Sequence, residues 1–303
     1  MLIALLSACS DPQPTPAAPA SGPPRVVKVA LNWQPEPEFG GYYAALLDGA
    51  YKEAGLAVEL LPGGPHVHVL EMLADGSVDV AISGADDLLV RRSRGLDAVA
   101  LFPGFVDSPV GLMAHAEGGP TRFEDVTGPV AIGVGGPFQM FLWGRFGWDG
   151  KVAIVPPTGT IDAFAADPTL VQQAYISSEP CLAEGAGMKI NFLPGRDVGW
   201  NPYSSLAVVR GGDAEADWVK AFRAASLTGW NAYLADPSRA NAEITRLNPE
   251  MPADRTDCIV TRQTPYVTGA AGVGVMTAER WSELAAALVS VGQPADATGA
   301  WIP

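Results

Sequence analysis

Apolar and polar positions over residues 25–105 predict a regular alternation of strands and helices. Short apolar runs and strict alternation predict four strands, at 27–31, 57–61, 78–82 and 97–102. Apolar spacings typical of one helix face predict helices between them, at 42–54, 66–74 and 88–94. Strands that alternate with helices in this way indicate βαβ units, a parallel sheet and an α/β fold.

The pattern breaks at 102–109, where Pro103, Gly104 and Pro109 interrupt the rhythm. A second series of strands is predicted beyond this break, at 112–115, 130–134, 152–155, 170–176 and 190–193. The apolar run 205–210 then predicts a return crossing into the first unit, and the chain from 215 onward is mainly helical. We therefore expect two lobes, one formed by residues 25–105 and 206–303 and the other by residues 106–205.

Ligand sites in parallel sheets lie beyond the carboxyl ends of the strands, where loops 32–41, 62–65 and 83–87 are expected to converge. The first of these loops is aromatic, acidic and stiffened by Pro35 and Pro37, which suits a flat ligand that bears amines. The candidate binding residues in these and the matching second-lobe loops are Trp33, Phe39, Tyr42, Gly63, Gly64, Ser83, Asp86, Asp107, Gly135, Glu179 and Tyr203.

These candidates divide by chemistry. The aromatic rings of Trp33, Phe39 and Tyr42 can stack on a planar ligand, although Trp33 and Phe39 would equally suit the cap of a domain core. Carboxylates accept hydrogen bonds from ring amines, but Asp86 also stands where a helix N-cap belongs. Glycines at 63, 64, 135 and 136 let backbone N–H groups approach a ligand closely.

Charge narrows the choice of ligand and partner. The net charge of −14 argues against nucleic-acid binding and against attachment to anionic lipid through a basic patch. No Lys or Arg stands in the candidate loops, whereas an anion site needs cationic or N–H donors. The sequence therefore favours a neutral or cationic heteroaromatic solute.

The chain begins with an apolar segment that ends at a cysteine. Leu6-Ser7-Ala8-Cys9 resembles a bacterial lipobox, which implies that residues 1–9 are a lipoprotein signal segment and that Cys9 is lipidated. Residues 10–24 are rich in Pro, Ala and Ser and predict an extended tether. These features place the protein in the periplasm or on the outer face of the cytoplasmic membrane.

The remaining cysteines and the histidines give no metal or catalytic motif. Cys181 and Cys258 are far apart in sequence, and we expect two separate buried thiols. No CxxC pattern is present, and His66 and His68 lack an evident third metal ligand. No catalytic residue, metal site or cofactor is predicted.

Several segments together resemble one bacterial protein family. They are Leu31-Asn32-Trp33, Tyr42-Tyr43-Ala44-Ala45, Tyr51 to Leu56, Pro62 to Pro65, Asp79 to Asp87, Gln172 to Pro180 and Met276 to Trp281. They are similar to segments of the periplasmic solute-binding proteins of ABC importers, in the group that binds thiamine pyrimidines, riboflavin, nitrate and sulfonates. The resemblance extends over residues 25–292.

The resemblance implies a two-lobed periplasmic-binding-protein fold of type II, the Venus-flytrap fold, which closes around a solute by a hinge motion. It implies a monomeric binding protein that delivers a thiamine pyrimidine precursor or a flavin-like solute to an ABC permease. One alternative is an anion binder that uses the helix after Gly135 and Gly136. Others are a pyrimidine-precursor biosynthetic enzyme, as in a fungal relative of the fold, and a sensor.

Overall fold

A computed structural model describes residues 23–303 of the chain, and the signal segment, Cys9 and most of the tether lie outside the described residues. The strands in the described part are β1 (Arg25–Ala30), β2 (Leu56–Leu61), β3 (Val80–Ser83), β4 (Ala98–Phe105), β5 (Val110–His115), β6 (Val130–Ala131), β7 (Ile154–Val155), β8 (Val171–Tyr175), β9 (Ile190–Pro194) and β10 (Ser204–Arg210). The α-helices there are α1 (Gly40–Leu47), α2 (Ala50–Glu53), α3 (Val69–Ala74), α4 (Ala85–Arg92), α5 (Pro137–Phe146), α6 (Asp162–Ala166), α7 (Glu179–Gly185), α8 (Asp217–Ala235), α9 (Ser238–Leu247), α10 (Ala253–Thr268) and α11 (Ala278–Ser290). No helix among the described residues is long and apolar enough to cross a bilayer.

Two five-stranded sheets organise these elements. The first sheet has the order β2-β1-β3-β10-β4 and the second has the order β7-β6-β8-β5-β9. Strand β1 pairs in parallel with β2 and β3, and β6 pairs in parallel with β7 and β8. The mixed α/β architecture and the two-lobed fold predicted from the sequence are confirmed.

Each sheet contains one strand that runs against its neighbours. Strand β10 lies antiparallel between β3 and β4, and β5 lies antiparallel between β8 and β9. The four strands predicted from residues 25–105, β1 to β4, run in the same direction, and the return strand β10 lies between β3 and β4 in the opposite direction. We refer to the structure around the first sheet as the first half and to that around the second sheet as the second half.

The helix predicted at 42–54 is interrupted. Helix α1 ends at Leu47, and Gly49 then adopts a φ of +87°, which only glycine adopts without steric cost, before α2 begins. Loop 177–180 is also shorter than predicted, because α7 already begins at Glu179 with Pro180 in its first turn, a position that a helix tolerates.

Close helix packing fixes the loop that follows β1. The first half packs α1 against α8, where a Cβ on Gly41 would lie 2.2 Å from the Trp230 ring and one on Gly229 would lie 2.3 Å from the Gly41 carbonyl oxygen. Glycines at both positions let the two helices come together. The segment between β1 and α1 is consequently held at the carboxyl edge of the first sheet.

Two crossings connect the halves, one between β4 and β5 and the other between β9 and β10. Asp107 on the first crossing accepts hydrogen bonds from Arg196 (3.2 Å) and Asn201 (2.9 Å) on the second, and from Arg280 of α11 (3.0 Å). The Asp107 carboxylate therefore joins both crossings to the C-terminal helix.

A disulfide bond joins Cys181 of α7 to Cys258 of α10, with their Cα atoms 6.0 Å apart. The expectation of two separate thiols is wrong. The two cysteines are 77 residues apart in sequence, and only the packing of α7 on α10 brings them together. That contact has no signature in a single sequence.

Candidate functional site

A cleft lies at the carboxyl ends of the parallel strands of both sheets. It comprises two cavities of about 350 and 290 Å³, which adjoin because both are lined by Gly133, Gln173 and Tyr175. We name the larger one the acidic compartment; it is lined by Asn32, Trp33, Glu36, Glu38, Gly133, Pro157, Gly159, Gln172, Gln173, Tyr175, Ser178 and Glu179. We name the other the glycine-lined compartment; it is lined by Gly84, Asp86, Ser108, Val110, Gly133, Val134, Gly136, Pro137, Phe138, Gln139, Gln173, Tyr175, Trp200, Pro202 and Ser204.

Trp33 forms the aromatic wall of the acidic compartment. Its indole Nε1 donates a hydrogen bond to Oε1 of Glu36 at 3.2 Å, which orients both side chains. Its carbonyl oxygen accepts a hydrogen bond from the Gly63 N–H at 2.9 Å. A Cβ on Gly63 would lie 2.0 Å from the Leu31 carbonyl oxygen, so glycine at position 63 allows the β2 loop to support the Trp33 backbone.

Three carboxyl groups crowd the acidic compartment. Burial, reinforced by the charge of Glu179, raises the pKa of Glu36 from its ordinary 4.5 to about 8. Burial raises the pKa of Glu38 well above its usual range, and the charges of Glu36 and Glu179 add to the effect. Glu179 accepts a hydrogen bond from the Tyr175 N–H at 2.8 Å, yet burial still raises its pKa. Near neutral pH Glu36 therefore retains its proton.

Asp86 and Tyr175 continue this polar surface into the glycine-lined compartment. Burial, with the charge of Asp87 as a smaller cause, raises the pKa of Asp86 to about 6. The pKa of the Tyr175 phenol is raised by burial and then by the charges of Asp86, Glu38 and Glu179. Tyr175 thus stands between the acids of both compartments and keeps its proton as a hydrogen-bond donor.

An amide in the cleft is left without a partner. The buried Oδ1 atom of Asn32, which immediately precedes Trp33, has no hydrogen-bond partner among the described residues. A buried acceptor without a partner costs about 1–3 kcal/mol, which a ligand N–H would recover. Because this oxygen is itself buried, the Asn32 side chain would have to turn toward the acidic compartment to accept from a ligand.

The lining of both compartments, as far as the described residues form it, includes no Lys, Arg or His side chain. No group of three or more His, Cys, Asp or Glu side chains within residues 23–303 is arranged to hold a metal ion. The cleft thus combines aromatic surface, carboxyl groups and amides, a set suited to neutral or cationic nitrogen heterocycles.

Three of the residues predicted from the sequence, Trp33, Asp86 and Glu179, line the cleft. Three others neighbour lining residues in sequence: Ser83 precedes Gly84, Gly135 lies between Val134 and Gly136, and Tyr203 lies between Pro202 and Ser204. The Tyr203 ring is itself buried, and its hydroxyl accepts a hydrogen bond from the Thr277 N–H at 2.9 Å. The Gly135 N–H donates to Oε1 of Gln139 at 3.0 Å.

The other five predicted residues do not line either compartment. Phe39 and Tyr42 are fully buried in the core of the first half, where the Tyr42 hydroxyl donates to the Ser205 carbonyl oxygen at 3.0 Å. Gly63 supports Trp33 from behind, and a Cβ on Gly64 would meet Gln34 at 3.6 Å. Asp107 is occupied by its three partners at the crossings.

The cleft also contains residues that the prediction omitted. Glu36 and Glu38 belong to the loop already singled out, and their proximity to Glu179 could not be seen without the second half. Gln173 and Tyr175 are two positions apart on β8 and so point to the same face of the sheet, a signal that strand alternation offered. Trp200 lies in the loop that leads to β10, where no sequence pattern pointed to it.

Two characterised relatives match most of the chain. A riboflavin-binding protein, RibY, of Chloroflexus aurantiacus is 26% identical over 313 residues, covering 93% of this chain and 88% of that protein. A formylaminopyrimidine-binding protein of Halalkalibacterium halodurans is 25% identical over 235 residues, covering 71% of this chain and 68% of that protein.

Solved structures share the architecture at low sequence identity. The periplasmic aliphatic sulphonate-binding protein SsuA of Escherichia coli superposes with a TM-score of 0.69 at 16% identity, and the match covers 92% of this chain and 93% of that one. A likeness at this identity establishes the fold and leaves the ligand open.

A family comparison covers about two thirds of the chain, including all of the second half and Glu36 and Glu38 of the first. The family model described as NMT1/THI5 like matches residues 36–240, which include Glu36, Tyr175 and Glu179. This match confirms the resemblance predicted from the sequence motifs. The chain belongs to the NMT1/THI5-like family.

Proposed function

We propose that this protein is the extracytoplasmic substrate-binding component of an ABC importer and that it binds a nitrogen heterocycle in the cleft between its two halves. The observation that carries the proposal is the acidic compartment, where Trp33 offers a ring to stack on and Glu36, Glu38 and Glu179 lie together with raised pKa values. A thiamine pyrimidine precursor or a flavin-like ring fits this chemistry.

The carboxyl groups match the edge of an aminopyrimidine. A carboxyl group accepts from an exocyclic amine, and it either donates to a ring nitrogen or pairs with the protonated ring. Asn32 supplies a further acceptor and Tyr175 a donor in the same cleft. The names of the two relatives, which refer to riboflavin and a formylaminopyrimidine, support a heteroaromatic ligand.

The same residues argue against an anion as the ligand. Nitrate and sulfonate groups need fixed positive charge or several N–H donors, and carboxylates repel them. The N-terminus of α5 faces the glycine-lined compartment, but Asp86 stands in the same lining. We therefore place a nitrogen heterocycle ahead of an anion and propose binding without catalysis.

The test is a binding series on the folded chain with Glu179→Gln, Trp33→Ala and the control Glu53→Gln, which changes an exposed carboxyl on α2. Each protein is titrated by calorimetry with formylaminopyrimidine, riboflavin, thiamine, nitrate and taurine. We expect one heterocycle to bind and both cleft substitutions to weaken it at least about tenfold, roughly 1.4 kcal/mol, because each removes a direct contact. The control should retain wild-type affinity.

Two outcomes would contradict the proposal. Unchanged affinity in both cleft variants would remove Glu179 and Trp33 from the site. Binding of nitrate or taurine with no response to any heterocycle would overturn the charge argument and move the ligand to Gly133 and Gly136.

We further propose that lipidated Cys9 anchors the protein to the outer face of the membrane, beside its permease. Cys9→Ser in the expressed precursor should move the protein from the membrane fraction to the soluble fraction, because serine cannot carry the thioether-linked lipid. Fractionation and detection by antibody measure the change. Persistence of the variant in washed membranes would rule out this anchor.

A further inference from the structure

Helix α7 contacts the cores of both halves. Its Cys181 is 1% exposed and packs in the cluster that includes Phe39 of the first half and Ile259 of α10. Its Ala183 is fully buried in a separate cluster with Met113 and Phe164 of the second half. The helix that begins with the cleft residue Glu179 is therefore shared between the two halves.

Several interactions attach α7 to α10 besides the disulfide. Glu184 forms an ion pair with Arg262, whose side chain is 28% exposed. A Cβ on Gly185 would lie 2.0 Å from Cζ of Arg255, so the C-terminal turn of α7 lies directly against that guanidinium. Helix α10 belongs to the first half, since the buried Gln263 side chain donates to the Pro37 carbonyl oxygen at 2.9 Å.

The Cys181–Cys258 disulfide, called the bridge below, is well separated from the two crossings. The carbonyl oxygen of Tyr266 in α10 accepts a hydrogen bond from the Asp107 N–H at 2.9 Å, which locates that end of α10 at the first crossing. Cys258 precedes Tyr266 by eight positions in the same helix. At 1.5 Å per residue the bridge lies about 12 Å along α10 from the crossing.

We propose that the Cys181–Cys258 disulfide is a third covalent link between the two halves, which holds the Glu179 end of α7 against the first half and restricts how far the cleft opens. The two crossings meet at Asp107 and act as one attachment, and the bridge is a second attachment away from it. Two bodies attached at two separate points rotate only about the line through those points. This device goes beyond the proposed function, because it concerns the motion of the cleft whatever the ligand.

The test measures the separation of the halves in the absence of ligand. Maleimide spin labels are placed on Lys52→Cys in α2 and Lys151→Cys before β7, two exposed positions in opposite halves, in the full chain carrying Cys9→Ser. Pulsed electron paramagnetic resonance then gives the label–label distance distribution. We expect a single narrow distribution with the bridge intact and one about twice as wide in the Cys181→Ser/Cys258→Ser variant, because open states become populated.

A matched control separates the bridge from its surroundings. Arg262→Ala removes the neighbouring ion pair and leaves the disulfide in place, and its distribution should stay narrow. Equal widths with and without the bridge would overturn the proposal, and so would equal broadening by Arg262→Ala. Neither result bears on the identity of the ligand, so the proposed function is tested separately.

A second measurement decides the question if the double cysteine variant loses its native circular dichroism. Small-angle X-ray scattering of the chain carrying Cys9→Ser, without labels, is compared before and after reduction with a phosphine and again after reoxidation. We expect a radius of gyration that rises on reduction and returns on reoxidation at a constant circular dichroism signal. A radius that does not change on complete reduction contradicts the proposal.

Discussion

Individual side chains in the cleft have functions that depend on their neighbours across the two halves. Glu36 is a loop residue by its sequence, yet its carboxyl meets the Trp33 indole and lies near Glu179 of the other half. Its pKa is raised because burial and a like charge both disfavour the ionised form. Glu36 thus keeps its proton near neutral pH in the ligand-free protein.

The Glu36 carboxyl should make the ligand-free protein more stable in acid than in mild base. Its folded-state pKa of about 8 exceeds its ordinary 4.5, so its contribution is fully present below pH 4.5 and is lost as the pH rises through 8. We expect Glu36→Gln, which cannot ionise, to raise the melting temperature at pH 8.5 by about 4 °C and to change it little at pH 4.5. Thermal unfolding at both pH values measures the difference.

Glu53→Gln is the matched control for this prediction because it removes an exposed carboxyl, and its melting curve should follow that of the wild type at both pH values. If Glu36→Gln shows the wild-type dependence of melting temperature on pH, then Glu36 is already ionised at pH 7. The acidic compartment would in that case carry the negative charge of Glu36 before a ligand arrives.

The sequence predicted the kinds of side chain that line the cleft, aromatic and acidic, better than it predicted which individual residues line it. Trp33, Asp86 and Glu179 could be found because aromatic and acidic residues directly after apolar strands are visible along the chain. Phe39 and Tyr42 share that loop and helix, but later helices bury them: Trp230 of α8 packs against Tyr42, and α9 and α10 pack on residues 37–39. Burial by an element almost 200 residues later cannot be read from the local pattern.

At the scale of elements, strand ends and loops determine where the cleft residues stand. Loop 62–65 was predicted to contact the ligand, and the structure instead has Gly63 beneath the backbone of Trp33. The backbone at position 63 lies so close to the backbone of residues 31–33 that only glycine fits there. A loop without a lining side chain thus fixes the aromatic wall of the cleft.

Gly63→Ala should therefore destabilise the protein, whereas Gly64→Ala should not. An added Cβ at position 63 would lie 2.0 Å from the Leu31 carbonyl oxygen, and one at position 64 would lie 3.6 Å from its nearest neighbour, the end of Gln34. We expect a loss of roughly 1–3 kcal/mol for Gly63→Ala, as is typical of overpacking, and less than about 0.5 kcal/mol for Gly64→Ala. Denaturant unfolding of both variants measures this; equal stability would mean that the β2 loop moves away freely.

The observed ends of strands and helices agree with the sequence prediction where Gly or Pro residues mark a turn, and they differ from it elsewhere. The strands were predicted close to their observed positions because apolar runs bounded by Gly and Pro leave little choice. The break between α1 and α2 follows from Gly49, which the periodicity of apolar residues conceals. The antiparallel direction of β10 depends on the path of the chain through the second half, which a pattern of apolar residues does not encode.

At the scale of the whole molecule, Asp107 joins the two crossings and α11. Arg196 and Arg280 both pair with its carboxylate, and all three side chains are at most 30% exposed. Asp107 is predicted from the sequence to contact the ligand, and in the structure its oxygens are held by these partners and by Asn201. Its position instead favours a contribution to the stability of the junction.

We expect Asp107→Ala to destabilise the protein by about 2–4 kcal/mol, because it leaves two partly buried guanidinium groups without their carboxylate. Asp48→Ala provides the comparison: its partner Arg239 is 65% exposed, and pairs of that kind contribute less than about 1 kcal/mol. Urea unfolding of both variants gives the two values. A similar loss of stability in both variants would indicate that solvent screens the ion pairs of Asp107 as effectively as it screens the surface pair of Asp48 and Arg239.

The position of β10 in the first sheet also determines the order in which the chain can fold. Strand β4 joins the first sheet only through β10, which pairs with both β3 and β4. The first sheet therefore stays incomplete until residues 204–210 are available, while the first two hundred residues leave the ribosome or cross a membrane. The second sheet uses only strands from residues 110–194 and can form as soon as they are available. The half that is encoded in the middle of the gene should accordingly be the first to become native.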